Sequence, residues 1–398
     1  MNTSPLAGAT QDEMRKRNLG SLLKHLHVNG TCPRSELTAL TGLNRSTVGA
    51  LTAELEEAGL VRSEQPIGRG VGRPSIMVAP ARERAYVLTI DVGVEHASVA
   101  LIGLGGWVQA RRELPHVPGE TPRKLIQRAS RVIESLVATA AEGSVCVGIG
   151  VSVPGVVRHS DGLVRIAPNL GWIEVPLGSV IATVLRTTLP IAIANDADLT
   201  AIAEHARGAA RGLSHVVLVS GDVGVGGGII IDGELMTGAG GYGGEIGHMV
   251  VNPIDGRLCR CGSVGCWETT IGEQAVREAL GDITETDVRS YLTTVPHGDP
   301  RLAEVGRWLG IGVANLVNIC NPQAVVFGGI FGDVYRVVDD YVAEQLGKSL
   351  SAPVESLVLK QAALGPDSVS MGAAELAFLP LLSDPLGHLA RCREVSAA

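Results

Sequence analysis

The sequence predicts an α/β protein in which a small helical head precedes a large body of alternating strands and helices. Two short helical segments with a tight connection occur near residue 40, and apolar strand segments alternate with helical ones after residue 85. A group of closely spaced cysteines interrupts this body. The 398 residues are 45% hydrophobic but only 3% aromatic, so two or three domains with mainly aliphatic cores are expected.

Charge is distributed unevenly between head and body. Residues 1–84 contain 11 basic and 8 acidic residues, whereas the rest of the chain contains 22 basic and 33 acidic residues. This balance is compatible with nucleic-acid binding by the head and argues against a chain that coats nucleic acid throughout. We predict no membrane partner, because no run of about eighteen apolar residues occurs. Seven partly clustered cysteines favour a reducing cytoplasm and metal binding over disulfides.

The head has the pattern of a helix-turn-helix. Apolar residues recur at helical spacing in segment 15–28, which ends before Gly30. A second helix is predicted between Pro33 and Gly42, and a third follows Asn44, a typical N-cap residue. A three-helix bundle without a DNA-binding role is the alternative. The residues predicted to reach base edges or phosphates in a major groove are Arg34, Asn44, Arg45, Ser46 and Thr47.

A wing is predicted after the third helix. Val61 and segment 76–78 have the character of two strands, and the loop between them is rich in Gly, Arg and Pro. Arg69 and Arg73 in this loop suit insertion into a minor groove. A surface linker between domains is the alternative interpretation.

The cysteine-rich segment predicts a metal site. The pattern His248-x10-Cys259-x-Cys261-x4-Cys266 offers one imidazole and three thiolates, a complete tetrahedral set for Zn²⁺ of the type that marks closed structural sites. We therefore predict one structural Zn²⁺ per chain. An iron–sulfur cluster, which usually takes four cysteines, and free buried thiols are the alternatives.

Polar residues on both sides of this segment predict a site for a polyol. Glu245 precedes His248 by three positions, and Glu268 follows Cys266 by two. Asn195 and Asp196 lie where a predicted strand runs into a helix. Several fixed donors and acceptors are what recognition of sugar hydroxyls requires, because a wrong epimer leaves a buried partner unpaired.

These motifs closely resemble the ROK family of repressors and sugar kinases. The resemblance rests on "GGEIGHMVV", "CRCGSVGCWE", "GIGVSVPG", "PNLGW", "ANDA", "GVGGGIIIDGEL" and "NPQAVVFGG", and covers residues from about 85 to 378. It implies an actin-like, ribonuclease H-like sugar-kinase body with two lobes and a cleft between them. It also implies that Zn²⁺ is held by His248 and the three cysteines, and that a sugar is contacted by Asn195, Asp196, Glu245, His248 and Glu268.

The phosphate loops depart from the kinase pattern of this family. Asp196 matches the catalytic base, but "DVGVEH" has Val94 and Glu95 where Gly and Thr are usual. In "DVGVGGG", Asp222 and Val223 replace a second Gly-Thr pair. Each loop loses a hydroxyl donor and gains a carboxylate that repels phosphate, so we expect no catalytic residue and no kinase activity.

The combined features predict a sugar-responsive transcriptional regulator, with repression of carbohydrate genes as the expected outcome. The predicted domains are a winged helix-turn-helix at 1–82, an N-terminal lobe at 83–194 and a C-terminal lobe at 195–398, whose last helix can return to the first lobe. The expected partners are operator DNA, a monosaccharide or sugar phosphate, and further copies in a homodimer or homotetramer. A bacterial cytoplasmic location, at the nucleoid when bound to the operator, is implied. An active kinase fused to the head, a body that docks a transport protein, and an activator are the alternatives.

Overall fold

The computed structural model describes residues 10–64, 76–94, 96–115, 117, 119–221, 224–281, 283 and 287–397. The predicted wing residues Arg69 and Arg73 lie outside these ranges, as do Glu95, Asp222 and Val223 of the two phosphate loops. In the part of the chain that is described, no helix is both long and apolar enough to cross a bilayer.

The head consists of three helices and a small antiparallel sheet, the arrangement typical of a winged helix-turn-helix. Asn44 begins the third helix as predicted, because its Oδ1 accepts a hydrogen bond from the Thr47 amide at 2.8 Å. The strands are ordered β1-β3-β2. The elements are α1 (Gln11–Asn29), β1 (Cys32–Pro33), α2 (Arg34–Thr41), α3 (Arg45–Glu57), β2 (Val61–Glu64) and β3 (Met77–Pro80).

The body alternates strands and helices, so the predicted α/β class is confirmed. Its first half contains β4 (Ala85–Val92), β5 (His96–Gly103), β6 (Trp107–Pro115), α4 (Pro122–Val137), β7 (Val145–Val153), β8 (Val156–Arg158), β9 (Leu163–Ala167), β10 (Trp172–Pro176), α5 (Leu177–Leu185), β11 (Ile191–Asn195), α6 (Asp196–Arg207), β12 (Val216–Ser220) and β13 (Gly226–Ile231). The remaining elements are β14 (Glu234–Leu235), α7 (Glu268–Ile271), α8 (Glu273–Ala279), α9 (Val288–Leu292), α10 (Ala303–Cys320), β15 (Ala324–Phe327), α11 (Ile330–Leu346), α12 (Ser351–Val354), β16 (Val358–Gln361), α13 (Ser368–Ser383) and α14 (Pro385–Ala397).

Two five-stranded sheets of the same topology form the framework of the body. Their strand orders are β6-β5-β4-β7-β11 and β14-β13-β12-β15-β16. In each sheet the first three strands in the chain form an antiparallel meander, and the last two are added on the free side of the earliest strand, β4 or β12. In the second sheet, β12, β15 and β16 are parallel. The residues of the central strands β4, β7 and β12 are buried almost without interruption, as expected for strands covered on both faces.

The chain divides into two compact units. Unit 1 comprises Met1–Val151, Pro176–Ala192 and Ala373–Ala398, and unit 2 comprises Ser152–Val175 and Ile193–Gly372. One hydrophobic cluster in unit 1 joins the helices of the head to the first sheet and to the C-terminal helices α13 and α14. The head therefore shares its core with residues of α13 and α14.

Candidate functional site

The four predicted metal ligands lie together in unit 2. One ligand atom from each of His248, Cys259, Cys261 and Cys266 lies within 4.8 Å of the others. The Cys259 sulfur is 3.7 Å from His248 Nδ1, and the sulfurs of Cys261 and Cys266 are 3.5 Å apart. These separations are too long for a disulfide and close to the edge of about 3.8 Å that a tetrahedral zinc site with 2.3 Å bonds requires.

Glycine conformations allow the cysteine segment to fold onto itself. Gly262 and Gly265 have φ angles of 92° and 77°, in the region that favours glycine. At Gly265, a Cβ would overlap the backbone oxygen of Asn252. The Cys259 amide donates to the Ser263 oxygen at 2.8 Å and closes the turn that carries the first two sulfurs.

The electrostatics of the thiol cluster suit a cation. Burial, together with the neighbouring Cys261 and Cys259, raises the pKa of Cys266 to about 12. Burial also raises the pKa of Cys259. Several thiolates in contact repel each other unless a positive charge lies between them, and coordination to a metal supplies that charge. The donor set therefore fits Zn²⁺.

The predicted sugar ligands of unit 2 gather at the N-terminus of α6 and at the ends of the cysteine segment. Asn195 is the N-cap of α6, and its Oδ1 accepts a hydrogen bond from the Asp198 amide at 2.6 Å. Asp196 is exposed at the first position of the helix. Glu268 accepts a hydrogen bond from the Val225 amide at 3.1 Å, so it joins the cysteine segment to the glycine loop before β13.

Carboxylates concentrate around Glu245. Burial, followed in order of importance by the negative charges of Asp198, Asp196 and Glu268, raises the pKa of Glu245 to about 7. No cation among the described residues acts against this shift. The cluster therefore consists of carboxylate oxygens in a negative electrostatic potential, an arrangement that favours hydrogen-bond donors such as hydroxyl groups.

Asp198 and His159 belong to this cluster, although sequence reasoning did not identify them. His159 Nε2 lies 3.1 Å from Oδ2 of Asp198, and only 5% of the Asp198 side chain is exposed. The other oxygen, Oδ1, is buried without a hydrogen-bond partner among the described residues. Asp198 stands two positions after Asp196 on α6 and offered a sequence signal, whereas His159 is 39 residues away and offered none.

The residues of the head that are predicted to contact DNA differ in exposure and in hydrogen bonding. Arg45 and Ser46 are exposed at the start of α3, but the Ser46 hydroxyl donates to Asn44 Oδ1 at 2.6 Å. Arg34 is half-buried beside Gly49 of α3, and its Nε lacks a hydrogen-bond partner. Within the described residues, the Arg45 guanidinium makes no ion pair or hydrogen bond. It is therefore the most available of these groups.

Residues 87–378 match the sequence model of the family described as "ROK family". The chain belongs to the ROK family. This range covers nearly all of both sheets, the cysteine segment and the carboxylate cluster, so the predicted resemblance is confirmed over these residues.

Relatives of two kinds are found for this ROK chain. A protein named xylose repressor from Caldicellulosiruptor bescii is 31% identical over 388 residues, which cover 92% of this chain and 96% of the relative. A protein named glucokinase from Streptomyces coelicolor is 29% identical over 324 residues, which cover 75% of this chain and 98% of the relative.

A solved structure extends the likeness beyond the body. The crystal structure described as a ROK family transcriptional regulator, a homologue of the E. coli MLC protein, superposes with a TM-score of 0.79. The superposition covers 96% of this chain and all of that chain, at 24% identity. It shows that the two chains share their fold over nearly the full length, including most of the head.

Proposed function

We propose that this ROK protein is a sugar-responsive, DNA-binding transcriptional regulator that represses genes of carbohydrate uptake or metabolism. The observation that carries the proposal is the exposed and unpartnered Arg45 at the start of α3, on a head whose core continues into the body. The full-length match to a xylose repressor supports the same conclusion.

DNA binding is assigned to the head. An arginine in the first turn of the second helix of a helix-turn-helix can reach base edges or phosphates. Asn44 orients this turn through its cap, and Ser46, Thr47 and Arg34 flank it. Arg69 and Arg73 stay predicted wing contacts. Two heads of a dimer or tetramer would read half-sites about one helical turn, or a multiple of it, apart.

The effector is assigned to the carboxylate cluster of unit 2. Acceptors for sugar hydroxyls are offered by Glu245, Glu268 and Asp196. The Oδ1 of Asn195 is used in the helix cap, so its amide nitrogen can donate to the sugar. His248 can serve both the metal and the sugar, since its Nδ1 faces Cys259 and its Nε2 is a separate donor. By linkage, the effector must bind the DNA-released state more tightly than the DNA-bound state.

The cysteine segment is assigned one structural Zn²⁺, held by His248, Cys259, Cys261 and Cys266. The ion would supply the positive charge that lets the thiolates meet, and so fix the segment that joins Glu245 to Glu268. Replacing Cys259 with serine should remove the bound zinc and weaken sugar binding, as measured by metal analysis and by thermal shift with monosaccharides. Cys320→Ser, a thiol outside the cluster, is the matched control; full retention of zinc in Cys259→Ser would contradict the assignment.

Operator binding provides the main test. Arg45→Ala should weaken binding to DNA from beside the protein's own gene by at least tenfold and reduce the salt slope by about one, because a phosphate or base contact is lost. Fluorescence anisotropy at several salt concentrations measures both. Arg131→Ala removes the same charge from an exposed site on α4 and should leave the isotherm unchanged. An equal effect of both substitutions would remove Arg45 from the interface.

An ATP-dependent sugar kinase is the second candidate, favoured by the glucokinase relative and by Asp196 in the position of the base. We infer that phosphoryl transfer is lost, because Val94, Glu95, Asp222 and Val223 replace the residues expected to contact phosphate. A coupled ADP assay with a panel of sugars decides between the two. Turnover at ordinary kinase rates would overturn the purely regulatory proposal.

A further inference from the structure

A second cluster of metal-ligating side chains lies in the head, about 220 residues before the cysteine segment in the chain. One ligand atom from each of His25, Cys32 and Glu36 lies within 4.8 Å of the others. Three different elements supply them, because His25 belongs to the last turns of α1, Cys32 to β1 and Glu36 to the first turn of α2. The cluster therefore spans the connection between the first two helices of the head.

The His25 ring has a nitrogen without a hydrogen bond. Nε2 is shielded from solvent and makes no hydrogen bond among the described residues, although Glu36 Oε1 lies 3.4 Å away. A buried ring nitrogen without a partner destabilises the fold, so a partner is expected. On the other side of the ring, Asn29 Nδ2 lies 3.0 Å from Nδ1 and fixes the orientation of the imidazole.

The thiol and the carboxylate supply the remaining donors. Cys32 is only 4% exposed, and burial, followed by the charge of Glu36, raises its pKa to about 11. Glu36 is about half exposed, which leaves a route from solvent. One nitrogen, one sulfur and one carboxylate oxygen form a mixed set that suits Zn²⁺ and similar borderline divalent ions, with a fourth position open to water.

We propose that His25, Cys32 and Glu36 form a second, exchangeable zinc site that clasps the end of α1 to the start of α2. The ion binds Nε2 of His25, the Cys32 thiolate and a Glu36 oxygen, and the Cys32 proton is released to solvent. Nδ1 then carries the ring proton, so the Asn29 amide turns to present its oxygen to Nδ1 and gives up the hydrogen bond from its Nδ2 to the His25 backbone oxygen. Three protein ligands and an exposed carboxylate make this site weaker than the four-ligand site of the cysteine segment.

Metal stoichiometry tests the proposal on the full chain. The protein, stripped of metal, is titrated with Zn²⁺ in competition with a chelating dye, and in parallel with Co²⁺ to follow the sulfur-to-cobalt absorption. The parent chain should bind two equivalents, one tightly and one more weakly. Cys32→Ser and Glu36→Gln should each abolish the weaker equivalent and keep the tighter one, whereas Cys259→Ser should do the reverse.

Two controls keep the outcomes distinct. Glu36 is half exposed, so Glu36→Gln preserves the fold even if Cys32→Ser does not, and far-UV circular dichroism checks both. Cys320→Ser changes a thiol outside both clusters and should keep two equivalents. The proposal is overturned if the parent chain binds only one equivalent, or if Glu36→Gln still binds two with unchanged affinities. An ordinary His25–Glu36 ion pair then accounts for the contact.

Discussion

Two buried polar clusters, one in each unit, differ in whether their atoms are satisfied. In unit 1, His27 on α1 is fully buried, and its Nε2 lies 3.2 Å from both oxygens of Glu375 on α13. Its Nδ1 accepts a hydrogen bond from the Gly105 amide at 3.1 Å, so the ring proton belongs on Nε2 and is donated to the carboxylate. In unit 2, Asp198 has one oxygen without a partner and lies among carboxylates that repel one another.

The difference separates a structural cluster from the proposed binding site. A buried network in which every atom is paired rigidifies the fold, and removing one member leaves the others unpaired. A buried acceptor without a partner lowers stability unless a ligand or water donates to it. The His27–Glu375 pair therefore stabilises the head, whereas Asp198 Oδ1 is still able to accept a hydrogen bond from the proposed effector.

The largest effect is expected in the satisfied cluster. Glu375→Ala should lower the free energy of unfolding by about 3 kcal/mol, because the buried Nε2–H of His27 loses both acceptors. Denaturant unfolding measures the loss. Glu375→Gln keeps one acceptor oxygen and should lose less than half as much. Equal stability of the parent chain and Glu375→Ala would mean that the pair does not hold the head.

An intermediate effect is expected from the pH dependence of unit 2. The pKa of Glu245 is about 7 in the folded chain against an ordinary 4.5, so the folded state binds its proton more tightly. The contribution of Glu245 to the free energy of unfolding is fully present below about pH 4.5 and is lost as the pH rises through 7. After solvent screening, the expected decrease is about 2 kcal/mol.

Glu245→Gln provides the comparison for this prediction. It should remove this part of the pH dependence while leaving the contribution of the thiols unchanged. Unfolding free energies of both proteins between pH 5 and about 7.5 measure the difference in slope. Parallel curves would show that Glu245 titrates normally, and the contrast between the two clusters would then depend on Asp198 alone.

The smallest effect on stability is expected at Asp198. Asp198→Asn removes a buried charge but also changes the acceptor of His159, so the free energy of unfolding should change by less than about 1 kcal/mol. Affinity for the effector sugar, measured by calorimetry, should fall about tenfold, or about 1.4 kcal/mol. A loss of stability as large as in Glu375→Ala would make the unit 2 cluster structural and contradict its assignment as a binding site.

Local sequence patterns predicted the helices, the strands and the thiol cluster, but they did not predict contacts between residues far apart in the chain. The Asn44 cap, the strand leading into Asn195 and the thiol spacing each depend on neighbours within about a dozen residues, so spacing and side-chain chemistry suffice to predict them. His27 and Glu375 are 348 residues apart, and a lone histidine on an apolar helix face gives no sign of its partner. The domain prediction allows the last helix to return to the first lobe, but it does not include the core that the head shares with α13.

The core shared by α1, α13 and α14 has a consequence for biosynthesis. Gly20 of α1 passes so close to the Leu382 oxygen that any larger residue would overlap it, and Phe378 packs against His27 at 4.8 Å. Because Phe378 and Leu382 follow α1 by about 350 residues, the nascent head cannot complete its interior until the whole body between them has been synthesised. Chains that terminate before α13 would then lack a packed head core, and the DNA-binding surface proposed for the head would not form in them.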